Sequence, residues 1–221
     1  MRKLVCLFLL GIASVRVLGQ SNMYLEPGQE PKMFQGGIGC GLNFSQVDGD
    51  TYAGFHKVAI NAGAMVYTHF SRIWGASMEI NYTRKGSRAE TQLESPNVGT
   101  YIESYYLKVN YVEVPLVFHC IYDKTYDIEV GASFAYLVSS SESVYADRPV
   151  VIDPVINRFN TSDIDALVGV THKIYKQLYG NVRYQYSLTS IRPYERVPYG
   201  YGSNSKGQFN NLFTLRFEYL F

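Results

Sequence analysis

Between Phe34 and the C-terminal Phe221, apolar and polar side chains alternate residue by residue in separate stretches. A period of two sends successive side chains to opposite faces of an extended chain and does not fit the 3.6-residue repeat of an amphipathic helix. In residues 34–44 one face carries Phe34, Ile38, Cys40, Leu42 and Phe44, and the other carries Gln35, Gly37, Gly39, Gly41 and Asn43. The same alternation marks strands over 58–67, 74–85, 126–139, 163–172, 177–188 and 209–221. Across 105–120 the phase changes. Leu107, Val109 and Tyr111 share one phase, and Val112, Val114, Leu116 and Phe118 share the other. One extra residue near Tyr111 and Val112 would return both sets to one face, so the sequence predicts either a β-bulge there or a strand that begins at Val112. Pro115, with no amide donor, is expected to weaken pairing on this strand.

Alternation alone does not say which face is outside, because a soluble lipocalin-type barrel alternates too, with its apolar face inward. Three features point to a membrane barrel. The connections 68–73, 122–125 and 173–176 are short, whereas 46–57, 86–104, 140–162 and 189–206 are long, which places every long loop on one rim. The chain holds 20 Tyr and 12 Phe, and Tyr67, Phe70, Trp74, Tyr122, Tyr126, Tyr175, Tyr179, Tyr219 and Phe221 map near the short-turn rim, as an interfacial girdle would. The polar face mixes Gly, Ser, Asn and Thr with Glu79, Lys85, Glu113, Asp127, Glu129, Asp165, Arg183, Arg216 and Glu218. Such a set suits the lumen of an eight-stranded barrel, which side chains fill, provided that opposite charges pair there. Acids exceed bases in it. The fold expected is all-β: an eight-stranded antiparallel up-and-down transmembrane β-barrel over 34–221.

The N-terminus reads as an export signal. Arg2 and Lys3 form a basic start, residues 4–15 are apolar, and Val17 and Gly19 precede a cut between Gly19 and Gln20. The apolar run is too short for a spanning helix, and Cys6 lies inside it, which argues against a lipoprotein. Residues 1–19 are then a signal peptide, 20–33 a short periplasmic segment, and the destination the outer membrane of a Gram-negative cell. Cys40 and Cys120 fall on non-neighbouring strands and are expected as two unpaired thiols. A formal net charge of +1 gives no nucleic-acid footprint.

Several stretches resemble the PorT-like outer-membrane β-barrel family of the Bacteroidetes. They are residues 39–50 (GCGLNFSQVDGD) with 54–57 (GFHK), 78–86 (MEINYTRKG), 111–116 (YVEVPL), 131–137 (GASFAYL) and 183–189 (RYQYSLT). Each is weak alone; their order and spacing carry the likeness, which covers the chain after Met33. The resemblance implies an eight-stranded outer-membrane barrel. The family's name-giving member is associated with type IX protein secretion, and most members have no assigned activity.

Reactive constellations are sparse. His56, His69, His119 and His172 have no ligand spacing and read as interfacial polar residues. Asp48-Gly49-Asp50 lacks the distal glutamate of a calcium loop and reads as a turn. Gly37, Gly39 and Gly41 recur at strand period and open no helix, so they are no dinucleotide fingerprint. Glu142 lies beside serines at 139–143, with no histidine expected on that rim except His56. No cofactor, metal or catalytic residue is therefore expected, and eight strands leave no aqueous channel. Two long loops carry a mild binding signal: Tyr194, Arg196, Tyr199 and Tyr201 in one, Val151 and Ile152 in the other. The plainer alternative is that these residues pack on one another above the membrane.

The function expected is a non-enzymatic barrel that scaffolds or binds through its rims, as an accessory of protein secretion, with outer-membrane lipid and envelope or secretion-system proteins as partners. The alternatives are a lipid-modifying enzyme of the outer membrane and a soluble, secreted, lipocalin-like carrier.

Overall fold

A computed structural model describes residues 34–95, 99–122, 125–146, 152–203 and 206–221. The signal segment, its cut site and residues 20–33 lie outside the described residues. Eight antiparallel strands form a closed ring in sequence order: β1 (Gln35–Asp48), β2 (Lys57–His69), β3 (Trp74–Ser95), β4 (Gly99–Tyr122), β5 (Tyr126–Tyr145), β6 (Ser162–Tyr175), β7 (Leu178–Ser187) and β8 (Phe209–Leu220). Closure comes from β1 pairing with β8, from Gly37↔Leu220 to Asp48↔Phe209. A closed ring satisfies every strand edge, which a sheet in lipid requires.

The faces are sorted as lipid demands. Phe134, Val182 and Leu215 are about half exposed (52%, 53% and 49%), whereas Glu79, Glu129 and Arg183 are buried at 2%, 0% and 3%. An apolar sheath around a polar axis is the reverse of a lipocalin, so the soluble-carrier reading fails.

Three expectations are corrected. First, β4 keeps one phase throughout: Leu107, Val109 and Tyr111 are buried together with Glu113, while Val112, Val114, Leu116 and Phe118 face out. The apparent phase change is a change of chemistry along one inward face, from apolar side chains near the long-loop rim to polar ones below. The extra residue belongs to β5, where the pairing steps from Asn110↔Ser139 to Tyr111↔Leu137 and leaves Val138 over. The β3–β4 ladder does pause beside Pro115, passing from Met78↔Leu116 to Asn81↔Glu113 in unbroken register. Second, the stretch 86–104 is a continued hairpin, paired as far as Ser95↔Gly99, and β5 runs on to Tyr145. Strands of 22 and 24 residues (β3 and β4) exceed the ~10 needed to cross a bilayer, so they stand well proud of it. Third, Tyr67 and Tyr179 leave the expected girdle and are fully buried in the lumen, while Phe70, Trp74, Tyr122, Tyr126, Tyr175, Tyr219 and Phe221 are exposed at the short-turn rim. From Asn61 onward the odd-numbered positions of β2 face inward, as do those of β7, whichever residue occupies them.

The seam between β2 and β3 stops short on the long-loop side. β1 follows β2 up to Ser45↔Lys57, but the β2–β3 ladder stops at Asn61↔Thr83. Beyond it, side chains of β1 reach the freed carbonyls of β3: Asn43 Nδ2 donates to the Arg84 carbonyl and Ser45 Oγ to the Gly86 carbonyl, each at 2.9 Å. Gly86 has φ +132°, and a Cβ there would sit 2.1 Å from the Leu107 carbonyl oxygen, so only glycine fits.

Candidate functional site

Side chains on the inner faces fill the barrel in three layers. Nearest the short turns, Met65, Tyr67, Ile121, Tyr179 and Leu220 form a buried apolar and aromatic plug. The middle layer is ionic. Arg183 donates to Glu79 (Nη2–Oε1 2.9 Å) and to Glu129 (Nη2–Oε2 3.0 Å), and Arg216 donates to Glu79 (Nη1–Oε2 2.7 Å) and to Glu218. Glu129 also accepts from Asn181 Nδ2 at 2.7 Å and from the Thr171 hydroxyl. Higher up, the Lys85 ammonium lies 2.6 Å from Glu113 and 2.8 Å from Asp165, and Gln185 donates to Asp165 at 2.8 Å. Asp163 accepts from Ser187 (2.6 Å) and Asn210 (3.0 Å).

All nine lumen residues singled out in the sequence are thus buried on the axis: Glu79, Lys85, Glu113, Asp127, Glu129, Asp165, Arg183, Arg216 and Glu218. Carboxylates outnumber cations, and neutral donors supply further hydrogen bonds to Glu129, Asp163 and Asp165, while Asp127 Oδ1 is left without one. Buried ions left without such partners would cost several kcal/mol each, of order 3–5.

His119 lies in the lumen and not at the interface that the sequence suggests. It is 2% exposed, with Ser77 Oγ 2.8 Å from Nε2 and Asp127 Oδ2 2.6 Å from Nδ1. A signal was present: His119 shares its phase on β4 with Glu113. Ser77–His119–Asp127 has the connectivity of a nucleophile–base–acid set. The Tyr67 ring, however, packs edge-on against His119 at 4.8 Å and Ser77 is 3% exposed, so the hydroxyl meets no substrate in this arrangement. His119, Asp127 and Glu129 offer ligand atoms within 4.8 Å of one another, the one such trio among the described residues. Ser77 engages His119, and Arg183, Thr171 and Asn181 engage Glu129, while Asp127 pairs with His119 through Oδ2 and keeps a buried Oδ1 without a hydrogen-bond partner.

The third layer closes the long-loop end. Val47, Tyr105, Leu107, Val109, Tyr111, Ala135, Ile191 and Tyr201 form one buried cluster. Tyr105 stacks on Tyr201 (5.7 Å, 12°) and packs near Tyr52 (5.0 Å). A buried ion pair holds the lid: Arg192 donates to Glu142 through Nη1 (2.6 Å) and Nη2 (2.8 Å) and to Gln208 through Nε (2.9 Å). Glu142 also accepts from the Tyr105 hydroxyl at 2.6 Å. Backbone bonds tie the three connecting segments together, with Asn160 N donating to the Ile191 carbonyl (2.8 Å) and Ser203 N to the Gly49 carbonyl (3.0 Å). Below this lid Asp50 is 4% exposed, and burial pushes its carboxyl up to about 7 despite hydrogen bonds from Ser87 and the Tyr52 amide.

The loop residues that the sequence marks for partner contact divide into exposed and buried sets. Tyr199 is fully exposed and Tyr194 half exposed, whereas Tyr201 is buried at 8% in the lid and offers no surface contact. Arg196 is half-buried and donates to Asn160 Oδ1 at 3.2 Å. Ile152 is half-buried, and Val151 lies outside the described residues. Val155 (77%) and Ile156 (63%) stand on the rim instead. Cys40 and Cys120 are free.

The chain is similar to solved structures of three bacterial surface proteins. Ail, the attachment invasion locus protein of Yersinia pestis, shares 12% identity over 86% of this chain and 100% of its own, with a TM-score of 0.46. Neisserial surface protein A shares 10% over 87% and 100%, with a TM-score of 0.45. The outer membrane protein OprG of Pseudomonas aeruginosa shares 10% over 85% and 94%, with a TM-score of 0.36. No curated protein matches the sequence. The family described as "Outer membrane protein beta-barrel domain" matches residues 19–192, most of the chain. With its closed ring, lipid-facing apolar sheath and filled lumen, the chain belongs to the outer membrane protein beta-barrel domain family.

Proposed function

We propose that this barrel is a closed, non-enzymatic binding or scaffold protein of the outer membrane that engages an envelope partner through its long-loop rim. One observation carries the reading: a barrel shut by plugs at both ends also invests a buried Arg192–Glu142 pair in stiffening a rim that presents Tyr199, Val155 and Ile156. A rigid rim offers partners little ordering cost. Within the family we infer the PorT-like type and an origin in the Bacteroidetes, supported by the motifs at 78–86 and 111–116, and with it an accessory part in protein secretion. Export by a signal peptide cut after Gly19 completes this reading. Cross-linking in native membranes followed by purification in mild detergent tests it. A discrete partner is expected with the native chain and is lost in Tyr199→Ser/Val155→Ser/Ile156→Ser; repeated recovery of the barrel alone counts against a partner.

A second reading, a lipid hydrolase, is favoured by the Ser77–His119–Asp127 connectivity alone. Incubation with labelled lipids separates the two, because turnover that disappears in Ser77→Ala would overturn the first.

A further inference from the structure

The short β2–β3 seam opens a groove of about 420 Å³ on the outer wall, where Lys57, Arg84 and Lys108 gather above Val58 and Ile60. Its height follows from the outward residues of β3 and β4. Met78, Ile80 and Tyr82 on β3 and Phe118 to Val112 on β4 form the apolar band, and Arg84 and Lys108 are the first cations above it on the long-loop side. That is where the headgroups of the outer leaflet begin.

Among the described residues none of the three cations lies within ion-pair distance of a carboxylate. Lys57 Nζ donates to the Leu107 carbonyl at 2.6 Å, and Arg84 sits over the Tyr82 ring at 5.7 Å. The charged groups that act on Lys57 are Lys108 and Arg84, both repelling. Arg88, higher on the same face of β3, is paired with Glu90 at 2.8 Å. Three crowded like charges beside half-exposed aliphatic side chains favour a ligand with a dense anionic head and an apolar tail.

We propose that this groove binds a phosphorylated lipid of the outer leaflet, with the phosphate among Lys57, Arg84 and Lys108 and an acyl chain along Val58 and Ile60. The missing β2–β3 pairing gives the head its recess, and Asn43 and Ser45 keep the wall hydrogen-bonded behind it. The inference concerns the wall and is independent of any partner at the rim.

Native mass spectrometry of the full chain in detergent, titrated with lipid A, tests it. A saturable one-to-one adduct is expected, weakened about 25-fold in Arg84→Gln/Lys108→Gln at roughly five-fold per cation. Arg88→Gln should bind as the native chain does. Heat-modifiable gel migration verifies that each variant folds, and Lys57→Gln provides a second folded variant should the double variant fail. Dephosphorylated lipid A that binds as tightly, inorganic phosphate that competes as well as the lipid, or unchanged binding by folded variants would each overturn the proposal.

Discussion

The two ends of this barrel are sealed by different means. At the short-turn end the plug is made by strand residues alone, Met65, Tyr67, Ile121, Tyr179 and Leu220, whose inward direction follows from strand phase. At the long-loop end the seal joins strand residues such as Tyr105 and Leu107 to loop residues Ile191, Arg192 and Tyr201, and an ion pair holds it. A plug built on strands opens only if the barrel unfolds. A lid built partly on loops can loosen by itself, since loops draw on local stability. Substitutions at the two ends should therefore differ in kind, with the ionic layer between them setting the upper bound.

The largest effect is expected from Arg216→Met in that middle layer. It leaves Glu218 and one side of Glu79 buried without their cation, a loss of about 3–5 kcal/mol in urea unfolding of the lipid-reconstituted protein. A loss below about 1 kcal/mol would mean that water reaches the axis. Tyr179→Ala comes next. Removing a fully buried ring should lower global stability by about 3 kcal/mol, with one cooperative transition preserved.

Arg192→Met sharpens the comparison. Its effect, about 2 kcal/mol, should show as faster hydrogen exchange and proteolysis over 188–207, with the global transition little moved. Equal global losses for Tyr179→Ala and Arg192→Met would break the distinction between the ends.

The smallest effect concerns pH. Asp50 is held protonated by burial, so the native lid binds a proton that the unfolded chain gives up near the ordinary carboxylate range. Lid stability should fall as pH rises towards about 7 and reach its floor above it. Asp50→Asn should flatten the profile of proteolysis against pH between 5 and 8.

The same contrast explains what could be read from sequence. In the lower half, lipid on one side and a packed axis on the other force alternation, so strand limits, the outward face and buried charges such as Glu79 and Arg183 follow from periodicity. Above the membrane, water wets the outer face, and β3 and β4 continue with Arg88 and Glu90 outward, which erases the apolar signal and makes 86–104 look like a loop. The Arg192–Glu142 pair is invisible in advance because fifty positions separate its partners and no local pattern joins them. His119 was readable in part: its phase matched Glu113, but the tyrosines sharing the inward phase elsewhere look like girdle residues until the ring is closed.

The axis is an ionic layer closed between two plugs. Current through the native protein in a planar bilayer tests it most directly. The membrane should stay silent at all moderate voltages, with protein insertion verified separately. A steady, ohmic conductance that scales with inserted protein would contradict it.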